Sequence, residues 1–138
     1  MKEPRKIIIG VVGHDIHVVA NRILHRALLE RGYFVCNLST NNKVEDFVDA
    51  ALEVEAHAVL VASLNGESEY WCRNFRDSFV AAGLDSILLY VGGNLIVGER
   101  DPEEVRACFE AWGFDRVYYG GCDFTTMLDE LDGDLGRG

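Results

Sequence analysis

The sequence predicts an α/β fold, a doubly wound five-stranded parallel sheet in a single domain spanning 1–138. Three observations predict it. The apolar run Ile7-Ile8-Ile9-Gly10-Val11-Val12 is continuous rather than alternating, as a strand covered on both faces requires. Short apolar runs then alternate with segments of helical spacing along the whole chain. Finally, 138 residues of which 49% are apolar suit one soluble domain with its own core.

The elements follow in order. The first strand is expected over 6–12. A helix from 17 or 21 to 31 shows the stripe Ile23, Leu24, Ala27, Leu28, and Gly32 closes it. The second strand covers 33–38. Asn42 can cap a helix over 43–55 whose apolar face is Val44, Phe47, Val48 and Ala51. A third strand over 58–63 leads through Leu64-Asn65-Gly66 to a helix over 68–82, ended by Gly83. The fourth strand covers 86–91 and is followed by Gly92-Gly93. Asp101 caps the next helix, with Pro102 at its first position, and Gly113 follows its end near Trp112. The last strand, 116–119, precedes Gly120-Gly121 and a helix over 123–131. The polar, Gly-rich end, 132–138, is expected to be a flexible tail, its acidic residues solvated.

Right-handed βα crossovers give the strand order 2-1-3-4-5, the flavodoxin-like (Rossmann-like) arrangement. The loops after strands one, three, four and five then gather at one edge, where such sheets bind ligands. Asp15 and His17 lie in the first of these loops, one residue apart, so that in an extended loop both side chains point the same way. A carboxylate beside an imidazole accepts from one ring nitrogen and makes the other a better metal ligand. A surface Asp–His pair in a polar loop is the plain alternative. Glycines at 92, 93, 120 and 121 let backbone approach a ligand closely, or simply turn the chain.

Composition excludes several classes. The formal net charge of −10 argues against nucleic acid and anionic membrane as partners. No run is long enough to span a bilayer, and nothing resembles a signal peptide. Cys36, Cys72, Cys108 and Cys122 have no C-x-x-C spacing and read as reduced thiols of a cytoplasmic protein. The first loop lacks the hydroxyl residues of a flavin phosphate loop. Ser63 stands where a receiver domain needs aspartate, and the last strand has no lysine. Gly10-Val11-Val12-Gly13 misses the dinucleotide spacing, and Ser63 lacks a nucleophile elbow.

Asp15-Ile16-His17, Ser63-Leu64 and Gly92-Gly93 on successive βα loops resemble the D-x-H-x-x-G, S-x-L and G-G signature of cobalamin-binding domains. Over nearly the whole chain, the segments around Ser63, Val91 and Gly113 resemble the small, cobalamin-carrying subunit of glutamate mutase (methylaspartate mutase). The resemblance implies adenosylcobalamin bound base-off and His-on, with His17 as the lower axial cobalt ligand and Asp15 on its other nitrogen. It implies that His14, Ile16, Val18 and Ala20 lie against the cofactor, His14 as a polar loop residue rather than a second ligand. Ala62, Ser63, Leu64 and Gly66 would follow on the second loop, and Gly92, Gly93 and Asn94 on the third. Leu95, Ile96, Val97, Gly98 and Gly121 complete the expected set. The implied activity is an isomerase, the rearrangement of L-glutamate to 3-methylaspartate through an adenosyl radical. A separate large catalytic mutase subunit covers the reactive face, and the chain is inactive alone. Ala20 stands where the family has glycine, and Ala62 where it has the first serine. These two departures leave open a non-catalytic cobalamin carrier or sensor, or a cofactor-free interaction protein.

Among the remaining residues, His25 is expected on the solvent side of the first helix and His57 at the surface. Tyr70, Trp71 and Phe75 are expected in the core or at its rim.

Overall fold

A computed structural model describes residues 4–12, 19–63, 72–93, 101–119 and 124–136. Strand β1 (Lys6–Val11) is followed by α1 (Val19–Glu30), β2 (Phe34–Asn37), α2 (Val44–Val54) and β3 (Ala58–Ser63). Then come α3 (Phe75–Ala81), β4 (Leu88–Gly93), α4 (Pro102–Ala111), β5 (Arg116–Tyr119) and α5 (Phe124–Asp134). The five strands form one parallel sheet in the order β2-β1-β3-β4-β5, as expected.

Alternation along the strands sends side chains into two separate cores. Ile8, Val59, Val61, Leu89, Val91 and Val117 meet α2, α3 and α4. Phe75 sits wholly buried there, its ring centroid 5.7 Å from that of Phe47, 5.4 Å from Phe79 and 5.0 Å from Phe114. On the opposite face Ile7, Ile9, Leu60 and Tyr90 meet α1 and α5 through Leu28, Met127, Leu128 and Leu131. Gly10 is required by the first core: a Cβ there would lie 2.9 Å from Phe47 Cε1. Gly113 is required twice over, by φ +101 and by Arg76 Cβ, 1.9 Å from where its own Cβ would stand.

Several expectations change. Asn42 does not cap α2. Its side chain is buried and donates from Nδ2 to the carbonyls of Val11 (3.2 Å), Leu38 (3.2 Å) and Ser39 (3.0 Å). Lys43 takes the cap position, with its N–H donating to Asp46 Oδ2 at 2.8 Å. The continuous helix over 68–82 is interrupted, because Asn74 adopts φ 56 and α3 begins only at Phe75; residues 68–71 lie outside the described set. Strand β4 runs two residues later than expected. Gly92 and Gly93 belong to it, held extended by pairing with Ala62 and Ser63 on one side and Tyr118 and Tyr119 on the other.

Residues 132–135 are not a solvated tail. Helix α5 continues to Asp134, and Leu135 is buried. Asp132 accepts from Arg31 at 2.7 Å and from the Tyr33 hydroxyl. Asp134 accepts from Arg116 Nε at 2.7 Å and from the buried Tyr90 hydroxyl, and Glu130 also binds Arg116. The Arg116 guanidinium and the Tyr90 hydroxyl hold the Asp134 carboxyl below the ordinary carboxylate range, against a smaller upward push from burial.

Candidate functional site at the carboxyl edge of the sheet

The register aligns the carboxyl ends of the strands. Val11 lies opposite Ala62, Ala62 opposite Gly92, and Gly92 opposite Tyr118. One residue further, Ser63 lies opposite Gly93 and Gly93 opposite Tyr119. The centre of this edge thus carries a methyl, a hydroxymethyl and two hydrogens, where the rows beneath carry Leu60 and Tyr90. Ala62 and Gly92 are only half-buried although both strands are central, and both lie on the face covered by α1 and α5. Among the described residues, a Cβ on Gly92 would meet only Tyr118, 3.4 Å from its carbonyl oxygen and 3.5 Å from its Cβ. Small residues therefore stand at the carboxyl end of the central strands on this face.

Of the residues singled out from the sequence, Ala62, Ser63, Gly92 and Gly93 are brought together here, and Ala20 is the second residue of α1. His14, Asp15, Ile16, His17, Val18, Leu64, Gly66, Asn94, Leu95, Ile96, Val97, Gly98 and Gly121 lie outside the described residues, as do Tyr70 and Trp71. The end of the first loop that leaves β1 is well tied. Val11 N–H donates to the Ser39 carbonyl at 2.8 Å, Val12 N–H to the Ala62 carbonyl at 3.0 Å, and Asn42 N–H to the Val11 carbonyl at 3.1 Å.

Three polar residues not singled out as functional meet between β2 and α1. Asn37, the last residue of β2, donates from Nδ2 to Asn21 Oδ1 at 2.7 Å and lies 3.0 Å from His25 Nδ1. Its Oδ1 accepts from Ser39 N–H at 2.8 Å. His25 therefore faces the edge strand rather than solvent. The available signal was the spacing Asn21, Leu24, Leu28, which puts a polar residue on the inner stripe of α1; Asn21 is 7% exposed. His57 is half-buried rather than freely exposed. Its Nδ1 accepts from Lys6 N–H at 3.0 Å, and burial, with Arg5 and Lys6 nearby, lowers its pKa.

Cys36, Cys72 and Cys108 are free thiols. Burial pushes that of Cys72 up to about 12, which leaves it inert at neutral pH. Among the described residues no three His, Cys, Asp or Glu side chains converge as a metal cluster, and no helix is long and apolar enough to cross a membrane.

Fold and edge together define a doubly wound flavodoxin-like domain with small residues at the carboxyl ends of its central strands. Solved structures share this fold. A cobalamin-binding protein from Desulfitobacterium hafniense superposes with a TM-score of 0.74 at 21% identity, over 93% of this chain and 59% of that one. The methanol:cobalamin methyltransferase complex from Methanosarcina barkeri gives 0.70 at 20% identity, over 96% of this chain and 48% of that one. A response-regulator receiver domain from Mycobacterium tuberculosis gives 0.65 at 12% identity over 99% of both chains. No family model matches the chain. Whole-chain relatives do. The glutamate mutase sigma subunit of Carboxydothermus hydrogenoformans is 48% identical over 136 residues, 99% of this chain and 98% of that protein. That of Treponema denticola is 43% identical over 130 residues, 94% of each. The chain belongs to the glutamate mutase sigma subunit family.

Proposed function

We propose that this chain is the cobalamin-binding subunit of an adenosylcobalamin-dependent glutamate mutase, with His17 as the lower axial cobalt ligand. The observation that carries the reading is family membership over 99% of the chain. Support comes from the row of small residues at the carboxyl edge, which suits the cofactor's displaced lower base and nucleotide tail. Bound adenosylcobalamin would supply homolysis of its cobalt–carbon bond, and with it the hydrogen abstraction that rearranges L-glutamate to 3-methylaspartate.

The chain's own residues would do the following. The loop before α1 presents the His17 imidazole, and Asp15 accepts from its second nitrogen and so keeps the ligating one unprotonated. Ala62 and Gly92 would leave room for the cofactor's nucleotide tail. The second and third loops, with Ser63, Leu64 and Asn94 to Gly98, line that tail. The opposite face of the cofactor stays uncovered, and a large catalytic subunit that binds glutamate closes it against water.

The test is a titration of the purified chain with adenosylcobalamin, followed by its visible spectrum and by electron paramagnetic resonance of the reduced cobalt form. A base-off spectrum and coupling to a nitrogen of isotope-labelled protein are expected. His17→Gly is expected to abolish both, and Asp15→Asn to weaken binding less. Coupling from the cofactor's own base would refute the axial assignment. An unchanged spectrum would leave a cofactor-free interaction protein as the better reading.

A further inference from the structure

The polar cluster at Asn37 joins both ends of the segment 13–18. On one side its Oδ1 takes the N–H of Ser39, whose carbonyl takes the N–H of Val11, the last residue of β1. On the other side its Nδ2 reaches Asn21 and His25, one turn apart on α1, which starts at Val19. The loop that carries Ser39 has non-glycine residues in the left-handed region, Ser39 at φ 63 and Asn41 at φ 65. Such a conformation persists where surrounding bonds impose it.

Hydrogen-bond polarity fixes a protonation state. A backbone N–H only donates, so the Asn37 atom facing Ser39 is oxygen and the other terminus is the NH₂ group. That group has two hydrogens and two neighbours. One hydrogen goes to Asn21 Oδ1 and the other to His25 Nδ1, which must therefore carry a lone pair. A proton on His25 Nδ1 would set N–H against N–H.

We propose that Asn37 is a positioning residue that clasps the two ends of the 13–18 segment, and that the clasp holds only while His25 Nδ1 is unprotonated. Its consequence for cofactor binding rests on the function proposed above. The charged residues near His25 on its own helix are Arg22 and Arg26, both exposed, with Arg26 bonded to Glu30. Strand β2 carries no charged residue, and its Cys36 packs on the opposite face. Lys6 stands at the other end of β1, while Asp129 and Asp132 of α5 engage Arg31 beyond the far end of α1. None of these can take the place of Asn37 as the partner of Nδ1.

Asn37→Ala and Asn37→Asp test the proposal against the wild-type chain. In the cofactor-free wild type, nitrogen-15 resonances of His25 should show a protonated Nε2 and a bare Nδ1 at about pH 8. In Asn37→Ala the amides of Ser39 and Val11 should exchange faster, and adenosylcobalamin should bind roughly tenfold more weakly, the scale of one or two lost hydrogen bonds. Asn37→Asp keeps an oxygen for Ser39 but presents a second acceptor to His25, so it favours a proton on Nδ1. From about pH 8 to about pH 5, where imidazole changes charge, wild-type affinity should therefore fall relative to Asn37→Ala and that of Asn37→Asp should rise. His17 is common to all three proteins and cancels in this comparison. The same sign of change in wild type and Asn37→Asp, or a protonated Nδ1 in the wild type at about pH 8, overturns the proposal. If Asn37→Ala does not fold, His25 in Asn37→Asp and wild type decides. A wild-type chain that binds no cobalamin overturns the cofactor reading instead, and the clasp is then judged on the His25 tautomer and amide exchange.

Discussion

Ala62 is the residue at which sequence and geometry press hardest on one another. It sits half-buried between Val11 and Gly92 in the ladder, on the face covered by α1 and α5. Whether a hydroxyl there gains a partner depends on what lies beside it. Ala62→Ser is expected to tighten adenosylcobalamin binding by up to about tenfold, the value of one hydrogen bond of roughly 0.5–1.5 kcal/mol, with an unchanged melting temperature. Calorimetric titration and thermal melting check this. A lower melting temperature with unchanged affinity would mean that no base enters beside Ala62. Ala20, second in α1, is a different case, because glycine there would also loosen the helix by roughly 0.5–1 kcal/mol.

Two elements are fastened in part by polar groups. Helix α5 is tied to the sheet partly by Asp134, which takes Arg116 and the Tyr90 hydroxyl together. Asp134→Asn is expected to cost about 1 kcal/mol at neutral pH, allowing for partial solvent screening. The exposed Asp129, which accepts from Arg31 at 2.9 Å, should cost less when changed to Asn. Urea unfolding of both variants checks the ranking, and equal losses would count against it. At the other edge of the sheet His57 ties β1 to β3, since its Nδ1 accepts from Lys6 N–H and its N–H donates to the Lys6 carbonyl at 2.8 Å. Its folded pKa is lowered by burial and by Arg5 and Lys6, so the unfolded chain takes up the proton first. The stabilisation is full above about pH 6.5, the unperturbed value, and falls as pH drops toward the lowered one. Unfolding midpoints at about pH 7.5 and about pH 5 should differ more in the wild type than in His57→Gln.

The molecule as a whole is an open sheet with one working edge. On the function proposed above, a lone domain of this shape would cover one side of the cofactor and leave the other to water, which would quench a radical. The purified chain is therefore expected to show no mutase activity by itself and to gain it when a large catalytic subunit is added, as measured by 3-methylaspartate formation. Activity in a rigorously purified single-chain preparation would overturn this.

Sequence alone determined the order of the elements, the strand order 2-1-3-4-5 and the small residues of the edge. These follow from patterns local to a few residues: continuous apolar runs, helical stripes, Asp101-Pro102, glycines after helices. It located Ala62, Ser63, Gly92 and Gly93 on one edge because a parallel sheet puts all carboxyl ends on the same side. Only the tertiary structure decided where Asn42, Asn37, His25 and His57 point, because their partners are backbone and side-chain groups on other elements. The same reason moved the end of α5. Residues 132–135 look like a polar tail until Arg31, Tyr33, Tyr90 and Arg116, remote in sequence, come within hydrogen-bond reach and hold the last turn on the sheet.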